Sequence, residues 1–146
     1  MVRSVCFALA LVLVSPHAIH AAWGEVDPNF ATLGWMNPSW PGDFGPSPGA
    51  LTTDSADRIV MAVNTGTSTV RFLRTSDTGT VDGSFGFLGS VSLTVPGAST
   101  ARIVRLLPGV GNGLIAVGDA ELTDGRWIVV FQLYEDGSLA DKFGID

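Results

Sequence analysis

Cysteine and histidine are nearly absent from this chain. The only cysteine is Cys6, and the only histidines are His17 and His20. All three precede residue 23, so a chain shortened there would have neither thiol nor imidazole. Such a chain cannot form a disulfide, build a nucleophilic site of the serine or cysteine protease kind, or bind zinc through histidine or cysteine. This absence favours a non-enzymatic role.

Basic residues are also few, with 8 Lys and Arg against 14 Asp and Glu. Without Arg3 the balance becomes seven against 14, a net charge of −7 with the termini ignored. No run of five or more basic residues occurs. Binding to nucleic-acid phosphates or to an anionic membrane surface is therefore disfavoured. We expect neither kind of partner, and we predict no cofactor and no metal.

The N-terminus has the order of features found in a secretory signal. Arg3 supplies the positive charge, residues 6–14 form a nine-residue apolar run, and small residues follow up to Ala21 and Ala22. The run is shorter than the roughly 20 residues that a membrane-spanning helix needs. We therefore predict that residues 1–22 are a cleaved signal peptide. The mature protein, residues 23–146, is then expected to be secreted, periplasmic or at the cell surface.

Long helical patterns are missing from residues 23–146. No stretch of ten or more residues places apolar side chains at helical spacing. Short β-branched runs instead alternate with turn residues, which predicts several short strands. The predicted strands cover residues 58–63, 69–73, 90–95, 101–107, 113–117 and 126–134. The sequence thus predicts an all-β fold of about two four-stranded antiparallel units resembling propeller blades.

A short sequence recurs at a nearly constant interval. We call it the Asp–Phe motif: residues 26–34 carry Asp27 and Phe30, and residues 81–89 carry Asp82 and Phe85. A looser third copy, residues 139–144, carries Phe143. The phenylalanines lie 55 and then 58 residues apart. A period of this size indicates stacked structural units.

The end of each unit has a characteristic order of residues. A strand is followed by a turn, such as Asp136-Gly137-Ser138, then an aliphatic residue, polar positions and Phe143-Gly144. This order is similar to the delta-60 repeat family, whose consensus runs approximately Asp-Gly-Ser-Leu-Asp-x-Ser-Phe-Gly. The resemblance covers most of residues 26–146 and implies a propeller-like or open repeat architecture. It implies no reaction. The chain departs from the consensus at Ala140, where aspartate is expected.

Two units are fewer than the four to eight blades typical of closed propellers. The domain is expected to comprise an irregular first unit, residues 23–89, and a more complete second unit, residues 90–146. Open strand edges invite pairing. We therefore expect self-association or association with other β-repeat units.

Two sets of residues are candidates for a specific role. The recurrent positions are predicted to be structural, with phenylalanine packing between units and aspartate accepting hydrogen bonds in turns: Asp27, Phe30, Asp82, Phe85, Asp136, Gly137 and Phe143. Residues 35–49, four of them proline, are predicted to form a loop that carries Trp35, Trp40 and Phe44. These aromatic side chains are weak candidates for ligand binding, and covering an open edge of the first unit is the favoured explanation for them.

Two functions remain open from the sequence. The leading one is a secreted, non-enzymatic β-repeat module with a structural or protein-interaction role. The alternative is a carbohydrate-binding or carbohydrate-active domain that uses the tryptophan-rich loop and the abundant carboxylates. No catalytic residue is assigned under either interpretation.

Overall fold

A computed structural model describes residues 25–37, 47–140 and 143 of the chain. These residues form an all-β structure of two antiparallel sheets, as the sequence predicts. The predicted signal peptide, residues 1–22, lies outside the described residues. Among the described residues the only helical element is a 3₁₀ turn, Val110–Asn112.

The seven strands are divided between the sheets in chain order. Sheet 1 has the order β1-β2-β3-β4, with strands Ser47–Thr53, Ile59–Asn64, Thr69–Thr75 and Ser90–Thr94. Sheet 2 has the order β5-β6-β7, with strands Thr100–Pro108, Leu114–Leu122 and Gly125–Leu133. Every neighbouring pair is antiparallel and consecutive along the chain.

The core lies where β5 crosses one face of sheet 1. Side chains alternate along the strands, so Val60 and Phe72 of sheet 1 meet Ile103 and Leu114 of sheet 2, all at most 2% exposed. Asn64, also buried, accepts a hydrogen bond from Ile103 N at 2.8 Å and donates to Ile103 O at 3.4 Å. Its side-chain amide thereby links the two sheets through one acceptor and one donor, as the backbone groups of paired strands do.

Two sequence predictions about the strands are wrong. Residues 90–95 were expected to open the second unit, but Ser90–Thr94 pairs with β3 and completes sheet 1. The Asp–Phe motif at residues 81–89 turns the chain back onto the free edge of β3, which alternation of side chains alone cannot reveal. The predicted loop 35–49 also ends early, because β1 begins at Ser47. Pro48 is tolerated since β1 is an edge strand and its register shifts between Pro48 and Ala50.

The backbone repeats in detail. The register shift in β1 recurs in β5 between Ile103 and Arg105, which lies 55 residues further along the chain. Asp57 and Asn112, also 55 residues apart, have φ angles of 58° and 61°. Strands β1 and β2 thus correspond to β5 and β6 at a spacing of 55, whereas β3 corresponds to β7 at a spacing of 58.

Candidate functional site

The second Asp–Phe motif is a compact loop organised by Asp82. Its Oδ1 accepts hydrogen bonds from the backbone N–H of Ser84 at 3.0 Å and from the Ser84 hydroxyl at 2.6 Å. The backbone N–H of Phe85 bonds to Asp82 O at 3.1 Å. The hydroxyl bond from Ser84 is the main cause that lowers the pKa of Asp82 below its ordinary value. Asp82 is therefore held as a carboxylate.

The first motif has the same geometry with fewer contacts. Asn29 N donates to Asp27 Oδ1 at 2.9 Å, and Phe30 N donates to Asp27 O at 3.2 Å. In both copies a glycine ends the motif with a φ of 85°, Gly34 in the first and Gly89 in the second. The two sequences thus fold into the same local structure, despite their different residues between aspartate and phenylalanine.

Each motif docks on a turn that belongs to the following β-unit. These turns are residues 76–80 after β3 and residues 134–138 after β7. Ala31 N donates to Thr78 O at 2.7 Å, and Gly86 N donates to Asp136 O at 2.7 Å. The equal bonds show that one contact, which we call the motif–turn junction, occurs twice.

Phenylalanine packs against a turn glycine in both junctions. A Cβ added to Gly79 would lie 3.1 Å from the Phe30 ring, and one added to Gly137 would lie 3.1 Å from the Phe85 ring. Phe85 is 1% exposed, whereas Phe30 is half-buried. Phe143, in the third copy, is 41% exposed.

Arg74 strengthens the junction between the two sheets. It is 1% exposed and its Nε lies 2.8 Å from Asp82 Oδ2. Its Nη2 donates to the Ser84 hydroxyl at 3.1 Å, and its Nη1 donates to the backbone carbonyl of Glu135. The guanidinium also lies 4.7 Å from the centre of the Phe85 ring. One side chain of β3 therefore binds both its own motif and the turn after β7.

Arg58 bridges the same elements nearer the surface. Its guanidinium lies 2.7 Å from Asp54, 3.0 Å from Glu135 and 3.6 Å from Asp82. Burial lowers the pKa of Arg58, but the hydrogen bonds to Asp54 and Glu135 outweigh burial and raise it. Together Arg58, Arg74, Asp54, Asp82 and Glu135 form what we call the ionic clamp.

The corresponding positions of sheet 2 carry no charge. Arg58, Arg74, Asp54 and Asp82 are matched there by Gly113, Gln132, Gly109 and Ala140. The backbone bonds are nevertheless kept, since Asp82 N bonds to Arg74 O at 3.0 Å and Ala140 N bonds to Gln132 O at 2.8 Å. The clamp is therefore specific to the junction between residues 81–89 and the turn 134–138, and is not a property of the repeat.

A shallow groove of about 490 Å³ borders the clamp. Its lining includes Arg74, Ser84, Tyr134, Glu135 and Asp136. Arg74 is already committed to three protein acceptors. No group of three or more acidic, histidine or cysteine side chains that could hold a metal occurs in the described ranges.

The outward face of sheet 2 repeats a face that sheet 1 buries. In sheet 1, sheet 2 covers the four positions Val60, Ala62, Val70 and Phe72, all at most 2% exposed. Their counterparts in sheet 2 are Ile115, Val117, Ile128 and Val130. Of these, Ile128 is 79% exposed and Val130 42% exposed, and the other two are half-buried. With Leu107 of β5, which is 39% exposed, these four residues form what we call the outer face.

The predicted aromatic site is only partly described. Trp35 is 73% exposed and its backbone bonds to Thr32, in the position where Ser90 bonds to Phe87 in the second copy. Trp40 and Phe44 lie outside the described residues.

Asp136 accepts hydrogen bonds from the backbone N–H and the hydroxyl of Ser138, and the hydroxyl bond is the main cause that lowers the pKa of Asp136.

Sequence reasoning missed Arg58 and Arg74. Arg74 lies in a strand whose last four residues, 72–75, are all buried, so simple alternation gives no signal for it. A weak signal was available in the comparison of the two units, because β3 carries two arginines where β7 has Val129 and Gln132.

Comparison of the chain with protein-family models, curated proteins and solved structures found no match. Within the described residues no helix is long and apolar enough to cross a membrane.

Proposed function

We propose that this chain is a secreted, non-enzymatic β-repeat module of the delta-60 type, with a structural or protein-interaction role. The outer face is the observation that carries the proposal. Ile128 and Val130 are exposed at positions that the preceding unit buries completely. A face built to the pattern of an internal packing surface is well suited to pack against another β-unit.

The energetics of the outer face support a binding role. Full burial of a Val, Leu or Ile side chain stabilises a complex by about 1.5–3 kcal/mol. The five apolar residues are contiguous across β5, β6 and β7, and charged residues border them, with Arg102 Nη2 2.9 Å from Asp119 Oδ2. Apolar patches rimmed by polar residues are typical of protein–protein contacts.

Sedimentation of the exported protein at micromolar concentration tests this function. We expect self-association that is weakened by the double change Leu107→Ser and Val130→Ser. Val110→Ser is the matched control, because Val110 is 87% exposed but lies on the 3₁₀ turn and is not one of the five outer-face residues. A stable monomer, or equal loss of association in the control, would contradict the proposal.

Export is tested separately by N-terminal sequencing of protein recovered outside the cytoplasm. The proposal expects the mature chain to begin near Trp23. Recovery of a chain that still begins at Met1 would remove the secreted part of the proposal and leave the interaction role to its own test.

The second candidate function is carbohydrate binding. The strong exposure of Trp35, 73%, favours it, because an exposed indole ring can stack on a sugar. A glycan array should then show a signal that Trp35→Ala and Trp40→Ala reduce. The absence of binding, or binding indifferent to both changes, would eliminate this candidate.

A further inference from the structure

The far edge of β7 is open where the equivalent edge of β3 is covered. In sheet 1, Thr69–Leu73 of β3 pairs with β4. The equivalent residues of β7 are 127–131, and no strand pairs with their far edge among the residues that the structure describes. The repeat itself therefore indicates that this edge can accept an antiparallel strand.

The direction of the Gln132 backbone groups shows which residues of β7 have their N–H and C=O groups at the open edge. Its carbonyl accepts a hydrogen bond from Ala140 N, and Leu139 bridges to Leu133, so Gln132 points its backbone groups to the far edge. Backbone groups alternate sides along a strand, and β7 contains no register shift. Arg126, Ile128 and Val130 therefore present their N–H and C=O groups at the open edge.

The open segment lacks the devices that normally protect an edge strand. Residues 127–131 are Trp, Ile, Val, Val and Phe, with no proline, lysine or register shift. Arg126 is the only charged residue of β7. Apart from Arg126, nothing in the part of the strand whose backbone groups are available opposes pairing with another strand.

We propose that β7 pairs with β7 of a second copy of this chain, antiparallel and centred on Ile128. The inference rests on the proposed interaction role and gives it a partner and a register. Ile128 lies opposite Ile128 of the second copy, and Arg126 lies opposite Val130 in both directions. Because each hydrogen-bonded pair exchanges two bonds, the three pairs form roughly six hydrogen bonds. The two three-stranded sheets become one continuous sheet.

A backbone hydrogen bond already made at the end of β7 favours this register over the neighbouring one. A register centred on Val129 would place Arg126 opposite Gln132, whose carbonyl is already bonded to Ala140 N. Centring on Ile128 confines pairing to residues 125–131, whose far edge is unpaired among the residues that the structure describes. The arrangement also places the exposed Ile128 side chains of the two copies side by side on the joined outer faces.

Cysteine cross-linking tests the register in the full chain carrying Cys6→Ser, which removes the only native thiol. In a hydrogen-bonded pair the Cα atoms are about 5.5 Å apart, within the range of a disulfide. Ile128→Cys is therefore expected to give a covalent dimer on mild oxidation. Val129→Cys, at about 8 Å, and Val130→Cys, at about 14 Å, should remain uncross-linked.

The cross-linking results decide both the register and the identity of the strand that pairs with β7. A dimer from Val129→Cys alone would overturn the register. If no variant cross-links while the outer-face test still shows association, the β7 pairing is wrong and the proposed function stands. If a synthetic peptide of residues 86–95, which contains β4, binds in place of a second copy, the occupant is a foreign strand and the self-pairing is overturned.

A proline variant provides a test that does not depend on disulfide chemistry. The N–H of Ile128 points away from β6, so Ile128→Pro removes a donor that sheet 2 does not use. We expect a folded monomer with an unchanged far-ultraviolet circular dichroism spectrum and a halved sedimenting mass. Ile128→Thr, which keeps the N–H, should still dimerise. A folded Ile128→Pro protein that remains dimeric would contradict the proposal.

Discussion

Replacing Arg74 by glutamine should destabilise the protein strongly, although glutamine is the residue found at the equivalent position of sheet 2. Arg74→Gln removes the 2.8 Å contact with Asp82 and the contact with the Phe85 ring. A hydrogen bond to a charged group contributes about 1.5–3 kcal/mol, and a desolvated cation–π contact up to about 2 kcal/mol. We expect a loss of about 3 kcal/mol in the free energy of unfolding, near the lower end for breaking a buried ion pair.

Two features keep the expected loss in the free energy of unfolding near the lower end of the range for a broken buried ion pair. The Asp82 side chain is 20% exposed, so water partly solvates it after the change, and Arg58 remains 3.6 Å away. The measurement is urea unfolding followed by tryptophan fluorescence and circular dichroism. The double variant Arg74→Gln, Asp82→Ala reproduces the arrangement of sheet 2, and it should cost less than the sum of the two single changes because no charge is left unpaired.

Either of two results would rule out a stabilising ion pair between Arg74 and Asp82. A loss below about 0.5 kcal/mol for Arg74→Gln would place it among ordinary surface substitutions. Strict additivity of the two single changes would show that Arg74 and Asp82 do not interact. Both values must come from unfolding transitions with the same denaturant dependence, since a changed slope would indicate altered two-state behaviour.

The remaining predictions concern acid stability, turn glycines and the packed phenylalanines. The pKa of Asp82 is lowered from 3.8 in the folded protein. Its contribution to stability is therefore present above that pH and is lost as the pH falls through the lower folded pKa. Asp82→Asn should accordingly make the melting temperature depend less on pH between pH 5 and pH 2. Gly137→Ala should cost more than Gly97→Ala in urea unfolding, since both have positive φ but only a Cβ at Gly137 meets other atoms, the nearest at 2.6 Å. Equal costs would show that backbone strain alone decides. Phe85→Ala should cost about 3–5 kcal/mol and Phe143→Ala much less, because they are 1% and 41% exposed, and comparable losses would contradict the assigned packing.

The sequence predicted the strand content because strand signals are local. Alternating apolar residues and turn glycines identified β2, β3, β4, β5 and β7 to within two residues, but they identified only the first part of β6, which was predicted over residues 113–117 and continues to Leu122. Which sheet receives β4 depends on the path of residues 81–89, where Leu88 adopts a φ of 51° that no composition rule anticipates. Local pattern therefore gives the strands and not their partners.

The candidate site was harder to predict than the fold. The recurrence of aspartate and phenylalanine correctly drew attention to residues 81–89, but the clamp depends on Arg74 and Glu135, which are 61 residues apart. A bond between a buried arginine and a distant main-chain carbonyl leaves no pattern in one sequence. The outer face could likewise not be predicted from the sequence, since Ile128 and Val130 have the residue types expected of a core.

The unequal charge of the two units has a consequence for cooperativity. In a linear array, stability is the sum of the intrinsic stability of each repeat and of the interfaces between neighbours. Tandem fusions of this chain would alternate interfaces that contain the ionic clamp with interfaces based on Gln132 and Ala140. Such an array would melt in steps of two repeats, and its natural building block would be the pair of sheets rather than the single repeat.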